Sequence, residues 1–330
     1  MQAIQVRGYG GPEALEVAEL PTPNPGPGEV VVDVVATGVN FVEVYQREGR
    51  YKVTPPFTPG GEGAGVVSAV GPGVDRVRVG DRVASVDLRG SYAAQAVALA
   101  ARVVAIPDGL ETEVAAAALL QGMTAHYLMF DSYPVREGDT LLVHAAAGGM
   151  GLLLTQLGTK LGARVIGTVS TAEKERLARQ AGAAEVIRYT ERDVAAEVRR
   201  TTGGTGVAAV YDGVGRDTFD ASLASLRRRG VLVLYGASSG AVPPVDPMRL
   251  HDGGSLFLTR PTLGHHIVED EVLAARAGDV FSWISEGSLT IRIHDRYPLA
   301  EAARAHADLQ GRRTTGKLLL IPGARAAAGR

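Results

Sequence analysis

Apolar and polar positions follow two different rhythms along the 330-residue chain. Up to about residue 120, short β-branched runs are separated by Gly and Pro: "AIQV", "EVVVDVVATGVN", "GAGVVSAV", "DRVASV", "YAAQAVAL" and "VVAIP". Such runs between turn residues predict an irregular, mostly antiparallel, barrel-like domain. The Pro-rich "PTPNPGPGE" at 21–29 is too short for an interdomain linker and reads as a loop between strands. From Glu111 the pattern becomes an Ala/Leu helix, "ETEVAAAALLQGMTAHYLMF", and then alternates short apolar runs with helical stretches. The strands expected are 140–146, 164–170, 185–189, 208–214, 231–237 and 255–260. In "TAEKERLARQAG" Leu177 and Ala181 share a face and Gly182 supplies the stop. Strand and helix alternating six times predict an α/β, doubly wound domain with a six-stranded parallel sheet.

Beyond residue 262 the alternation ends. A long helix around Asp270 to Glu286, a short strand, the helix "LAEAARAHADLQGR" and a last strand "KLLLIP" are expected to return to the first domain. The division predicted is 1–122 for the barrel-like domain, 123–262 for the doubly wound domain and 263–330 for the return. The tail "GARAAAGR" has no apolar periodicity and is expected to fray. The "RRR" run at 227–229 is expected to be the solvated C-terminal end of a helix.

One turn carries chemistry. "HAAAGGMGLL", residues 144–153, follows Leu141, Leu142 and Val143 and opens the next helix. Ala146-x-Gly148-x-x-Gly151 stands where a GxGxxG turn would, and the strand-to-helix context required of that motif is met. The second glycine lets the backbone approach a pyrophosphate, and the third lets helix and strand pack closely; alanine at the first position fits if its φ stays negative. The helix N-terminus then offers N–H groups and the positive end of its dipole. The plain alternative is a Gly-rich turn that holds no ligand. At the end of the second strand stand Ser170 and Thr171, with Lys174 beyond and no acid at the strand end, although Glu173 is close. A carboxylate there would serve a ribose 2′-hydroxyl and repel a 2′-phosphate. Hydroxyls with an ammonium suit the phosphate, so NADP is favoured over NAD. Lys174 is one of only four lysines, and the alternative is an ordinary surface residue on a helix's first turn. Tyr189 ends the third strand, where it would flank the adenosine.

Composition removes other classes. With 45% apolar and 21% charged residues the chain reads as an ordinary globular protein. A formal net charge of −2 gives no broad field for nucleic acid or an anionic membrane. There is no cysteine, so disulfides and thiolate metal sites are excluded. "MQAIQVRGYGG" has no apolar leader core, and no stretch reaches the roughly 20 apolar residues of a membrane span, so a cytoplasmic protein is expected.

Taken together, "GGPEALEV", "ATGVNFVEVYQREGRY", "PFTPGGEGAGVVSAVGPGV", "GDRVA", "HAAAGGMG", "YDGVGRDTF", "RRRGVLVLYGASSG", "LTRPTL" and "TTGKLLLIP" resemble the quinone oxidoreductases of the zeta-crystallin type, in the zinc-independent branch of the medium-chain dehydrogenase/reductase superfamily. The likeness runs over essentially the whole chain in order. It implies a GroES-like catalytic domain with a Rossmann domain, NADPH as cofactor, and a quinone or other small planar electrophile as partner. It also implies a homodimer paired along "SLFLTR". Zinc-dependent relatives carry Cys in a "GVC"-like stretch and His in "PGHE"; here Asn40 and Gly61 stand there, while Glu62 remains. The cysteine cluster that follows "GDRV" in those relatives is missing, His265–His266 lacks an obvious third ligand, and no metal is expected.

The resemblance further implies that the stretch from Asn40 through Phe41 to Tyr45 borders nicotinamide and substrate, with Thr124 near the nicotinamide end. Asn40 and Thr124 would hydrogen-bond the carboxamide or a quinone oxygen, and Tyr45 would shape the pocket or donate a proton. The structural alternatives are a turn residue for Asn40, half-buried core for Tyr45 and helix interior for Thr124. Gly149, Met150, Gly236, Ser238, Ser239 and Lys317 match further cofactor positions, and Gly213 stands where many relatives carry Ser. Quinones accept hydride without a Lewis acid, so binding, orientation and exclusion of water suffice. Two other functions stay open: reduction of activated C=C bonds in enones or enoyl thioesters, and a non-catalytic, NADPH-linked RNA-binding role, against which the near-zero net charge argues.

Overall fold

The computed structural model describes residues 1–323; the segment 324–330, where most of the tail expected to fray falls, lies outside the described residues. Two compact units divide the chain. The first holds Met1–Leu120, Glu269–Gly287 and Ile291 onward, and the second holds Gln121–Val268 with Ser288–Thr290.

The first unit opens with the antiparallel pair β1 (Gln2–Val6) and β2 (Leu15–Glu19). Then come β3 (Glu29–Val39), α1 (Phe41–Arg47), β4 (Gly63–Val70), β5 (Arg82–Ser85), β6 (Gln95–Leu99) and β7 (Val104–Ala105). Helix α2 (Thr112–Tyr127) follows, with the division between the units falling inside it, and a π-helical turn, Leu128–Ser132, extends it.

In the second unit six strands run β8 (Thr140–Val143), β9 (Arg164–Val169), β10 (Glu185–Arg188), β11 (Val207–Asp212), β12 (Leu226–Leu234) and β13 (Phe257–Thr259). The helices between them are α3 (Gly149–Lys160), α4 (Ala172–Gln180), α5 (Val194–Thr201), α6 (Phe219–Ser225) and α7 (Met248–Asp252). The sheet order is β10-β9-β8-β11-β12-β13, every pair parallel, as the alternation predicts. Successive crossovers leave in opposite directions from the β8–β11 pair, so a crevice opens outside the C-terminal ends of those two strands. Leu142, Ile166, Ile187, Val210 and Leu232 of the strands pack with Val194, Val198, Phe219 and Leu223 of α5 and α6. On α3, Gly158 lets the helix close on the sheet: a Cβ there would meet Val165 at 3.0 Å and Leu141 at 3.3 Å.

Local chemistry sets the helix ends. The Thr171 side chain accepts the Lys174 N–H to cap α4, Leu177 and Ala178 are its buried face, and Gly182 at φ 106° closes the turn beyond. Asp193 caps α5 in the same way, with Arg199 and Arg200 at the negative end of its dipole. The arginine run departs from expectation. Helix α6 stops at Ser225, and Arg227, Arg228 and Arg229 lie in β12. Buried Leu226 pairs with Val207, and Gly206 lies so close that a Cβ would sit 2.8 Å from the Arg227 nitrogen; this contact draws the chain into the sheet before the arginines.

The chain ends with α8 (Asp270–Ser285), β14 (Ile293–Pro298), α9 (Ala302–Gln310) and β15 (Lys317–Ile321). The larger sheet of the first unit has the order β14-β15-β3-β4-β5-β7, with β6 also on β3, and only β14–β15 is parallel among its pairs. Long β3 serves two cores. Val30, Val32 and Val34 pack with Val67, Val83, Ala96 and Ala98. After a second register shift at Val34/Ala36, Val39 packs instead with Ile4, Tyr297, Leu318 and Leu320.

Candidate functional site

The glycine turn begins where β8 ends. Ala146 is fully buried, and its φ is not positive, so alanine is accommodated there. The left-handed residue is its neighbour Ala145, at φ 51°. Gly148 is the N-cap of the twelve-residue α3 and no side chain caps it, so the N–H groups of the first turn have no intrahelical acceptor. A Cβ at Gly148 would meet only the Ala145 carbonyl, at 3.3 Å. One at Gly149 would lie 2.9 Å from Gln121 Nε2, and one at Gly151 would lie 2.6 Å from the Ala146 Cα. Met150 between them is partly exposed. The result is bare backbone with donors at the positive end of a helix, which fits a pyrophosphate.

Beside it, β9 ends without a carboxylate. Ser170 and Thr171 follow Val169, and Lys174 lies on the first turn of α4, where its N–H donates to Thr171 Oγ1 at 3.2 Å. Tyr189 follows β10, bonds through its N–H to the Val169 carbonyl at 3.1 Å and leaves its side chain 40% exposed. Ser170, Thr171, Lys174 and Tyr189 thus sit together at the C-terminal ends of neighbouring parallel strands. Hydroxyl donors and an ammonium there match a dianionic phosphate.

Gly213 and Gly236 follow β11 and β12. A Cβ at Gly236 would come within 2.9 Å of the Gly213 Cα, so the two strand ends touch through backbone. Gly213 also lies under the Tyr235 ring, 2.7 Å from where its own Cβ would be, and the space a serine side chain would take is filled by that ring. The Ser238 N–H donates to the Gly213 carbonyl at 3.2 Å. Ser239 is engaged on both sides: its hydroxyl donates to the Val214 carbonyl at 2.8 Å and accepts the Asp217 N–H at 3.0 Å. Its first task is therefore to shape the loop.

In the first unit, Asn40, Glu43, Glu62 and Lys317 form one buried polar cluster, each at most 6% exposed. Lys317 at the start of β15 donates to Asn40 Oδ1 at 2.5 Å and also to Glu62 Oε2. Asn40 Nδ2 donates to the same Glu62 oxygen at 2.9 Å, and Glu62 Oε1 accepts the Leu120 N–H of α2 at 2.7 Å. Asn40 is the N-cap of α1, and three residues on Glu43 Oε2 accepts the Asn40 N–H at 2.8 Å. Lys317 can only donate and the carboxylate only accept, so the Asn40 amide is held in one orientation with one N–H left over. Gly38 makes the closeness possible, because a Cβ there would sit 2.8 Å from the Lys317 Cε. Burial raises the Glu43 carboxyl to about 8, against the opposing pull of Lys317, so Glu43 holds its proton at neutral pH.

Tyr45, on the same helix as Asn40, is 5% exposed and sits among rings: Phe41 at 6.0 Å and Tyr51 edge-on at 5.2 Å, with the Arg50 guanidinium 4.3 Å over its face. Thr124 is a buried residue of α2, on the part of the helix that belongs to the second unit. The expected residues thus fall into a nucleotide-type group in the second unit and an Asn40–Tyr45–Lys317 group in the first. Sequence reasoning gave no role to Glu43 or Glu62. The Asn-x-x-Glu spacing at 40–43 is a capping-box signal, but nothing local joins Glu62 to Lys317, 255 positions away.

Two family models match the chain: an alcohol dehydrogenase GroES-like domain over residues 26–135 and a zinc-binding dehydrogenase over 149–272. A quinone oxidoreductase of Pseudomonas aeruginosa is 46% identical over 321 residues, covering 97% of this chain and 99% of the relative. Among solved structures, a native mycobacterial protein complexed with NADPH has 52% identity and a TM-score of 0.95, covering 98% of this chain and 100% of that one. The Escherichia coli quinone oxidoreductase complexed with NADPH has 40% identity and the same TM-score, again over 98% and 100% of the two chains. Similarity of this extent, over both units and in unbroken order, makes the chain a member of the quinone oxidoreductase family within the medium-chain dehydrogenases/reductases.

Proposed function

We propose that the protein is an NADPH-dependent quinone reductase. The observation that carries this reading is the carboxylate-free end of β9, where Ser170, Thr171 and Lys174 stand beside the bare-backbone turn at Gly148–Gly151. The two similar structures described as NADPH complexes support the same cofactor. When bound, NADPH supplies the hydride. The chain's own residues do the rest. The first-turn N–H groups of α3 hold the pyrophosphate, and the Ser170 and Thr171 hydroxyls with Lys174 hold the 2′-phosphate. Tyr189 flanks the adenosine, Phe41, Gly213, Gly236 and Ser238 border the nucleotide, and Ser239 shapes the loop on which Ser238 stands.

On the substrate side, Asn40 offers its remaining N–H to the carboxamide or to a quinone oxygen, with its amide turned and fixed by Lys317 and Glu62. Thr124 adds a hydroxyl near the nicotinamide. Tyr45, set in an aromatic cluster, forms a flat apolar wall and carries a phenol that can pass a proton to the product. A quinone needs little more, because the charge that arrives with the hydride is delocalised over its ring. We also propose a cytoplasmic homodimer paired through β13, the last strand of the parallel sheet, whose Phe257 is 55% exposed. Among the described residues no helix is long and apolar enough to cross a membrane.

The test is a steady-state panel of quinones, enones, enoyl thioesters and aldehydes with NADPH. Quinones are expected to be reduced fastest. Turnover confined to enones or thioesters would replace the assignment with C=C reduction, and inertness toward all four classes would overturn both.

A further inference from the structure

Behind the two strand ends that flank the crevice of the second unit runs a line of buried polar side chains for which nucleotide binding gives no direct use. His144, Thr168, Asp212 and Ser222 are each at most 1% exposed. They come from the residue after β8, from β9, from the end of β11 and from α6. The Asp212 carboxyl accepts the N–H groups of Val214 at 2.8 Å and Gly215 at 3.0 Å, and the hydroxyls of Thr218 and Ser222, each at 2.7 Å. The single Ser222 proton is thereby committed to Asp212, and the Ser222 oxygen accepts from His144 Nε2 at 3.0 Å. That puts the ring proton on Nε2 and leaves Nδ1 to accept the Thr168 hydroxyl, also at 3.0 Å. Burial pushes the His144 imidazole below its ordinary value, against the pull of Asp212, which keeps it neutral. The line therefore has one direction, Thr168 to His144 to Ser222 to Asp212, and each of its hydrogen bonds is made.

Two of its members, His144 and Asp212, lead into turns. His144 precedes Ala145, which holds the left-handed conformation at φ 51° and whose carbonyl accepts the Gly148 N–H at 2.9 Å. An alanine adopts that conformation only when its surroundings enforce it. At the second turn, Asp212 gathers the backbone of 213–218 around its carboxyl. We propose that this line locks the turns after β8 and β11 in the shape that receives the dinucleotide, with His144 and Ser222 as positioning residues that do not touch it. The inference rests on the reading that these two turns hold the nucleotide. Ordinary core satisfaction would show differently: stability would fall while the affinity of the folded protein stayed the same.

The experiment uses the full chain, Ser222→Ala and the isosteric Thr168→Val, with ¹⁵N-labelled histidine, thermal unfolding and NADPH titrations by nucleotide fluorescence below each protein's unfolding range. The unaltered protein is expected to show His144 as a neutral Nε2–H tautomer from mildly acid to alkaline pH. Both variants are expected to weaken NADPH binding, Ser222→Ala by about tenfold, the scale of one buried hydrogen bond to a charged group. Thr168→Val is expected to change the His144 ¹⁵N shifts. Equal NADPH affinity in all three folded proteins would overturn the inference alone, as would a His144 ring protonated on Nδ1. Failure of the unaltered protein to bind NADPH would overturn the nucleotide reading on which it rests.

Discussion

Lys317 and Glu62 form an ion pair whose side chains are 1% and 0% exposed, and the same ammonium holds the Asn40 amide. A buried pair adds little net stability when intact, but removing one partner strands the other charge. Lys317→Met is expected to cost about 3–5 kcal/mol. Lys317→Met with Glu62→Gln is expected to cost less than Lys317→Met alone, because no charge is stranded. Urea unfolding of the three proteins checks this, and a double variant less stable than the single would contradict it.

Glu43 makes stability depend on pH in a definite direction. Its carboxyl titrates at about 8 in the folded protein against an ordinary 4.5, so folding takes up a proton between those values. Its contribution is full below 4.5 and is lost as pH rises toward 8, with a slope of about 1.4 kcal/mol per pH unit. Glu43→Gln keeps an acceptor for the Asn40 N–H and removes the titration. Relative to the unaltered protein it is expected to gain stability steadily through that range and to level off above it. Parallel denaturation curves at every pH would contradict the account.

The turn makes a graded prediction. Gly151→Ala pushes a Cβ to 2.6 Å from the Ala146 backbone, whereas Gly148→Ala meets only one carbonyl at 3.3 Å. Gly151→Ala is expected to weaken NADPH binding by about tenfold or more, and Gly148→Ala to have the smaller effect. Fluorescence titration with NADPH ranks them, and the reverse order would show that a Cβ facing the pyrophosphate at 148 costs more than the clash within the turn at 151.

How much of this was legible in the sequence follows from the range of each signal. The six parallel strands were legible because each apolar run sits between helix-period segments with their own caps, as at Thr171 and Asp193. The placement of Ser170, Thr171 and Tyr189 just beyond strand ends was legible for the same reason. The arginine run misled because charge at the end of a helix and charge at the start of a strand look alike, and only the Val207–Leu226 pairing decides between them. The partners of Asn40 were hidden by distance along the chain: Glu62 and Lys317 meet because β15 returns to pair with β3, which no local pattern announces.

Cofactor choice isolates Lys174. Removing its ammonium should remove attraction for a 2′-phosphate and leave a 2′-hydroxyl almost untouched. Lys174→Ala is expected to raise the KM for NADPH by about tenfold with the KM for NADH changed less than about twofold, a difference read by steady-state kinetics with both nucleotides. Equal effects on the two would make Lys174 an ordinary surface residue of α4.

The most direct test of the central claim follows NADPH consumption and hydroquinone formation together, with the purified protein and a simple benzoquinone, and NADH in a parallel reaction. The account predicts one hydroquinone per NADPH oxidised, a rate well above the uncatalysed background, and markedly slower turnover with NADH. Consumption no faster than background, or turnover with NADH equal to that with NADPH, would contradict it.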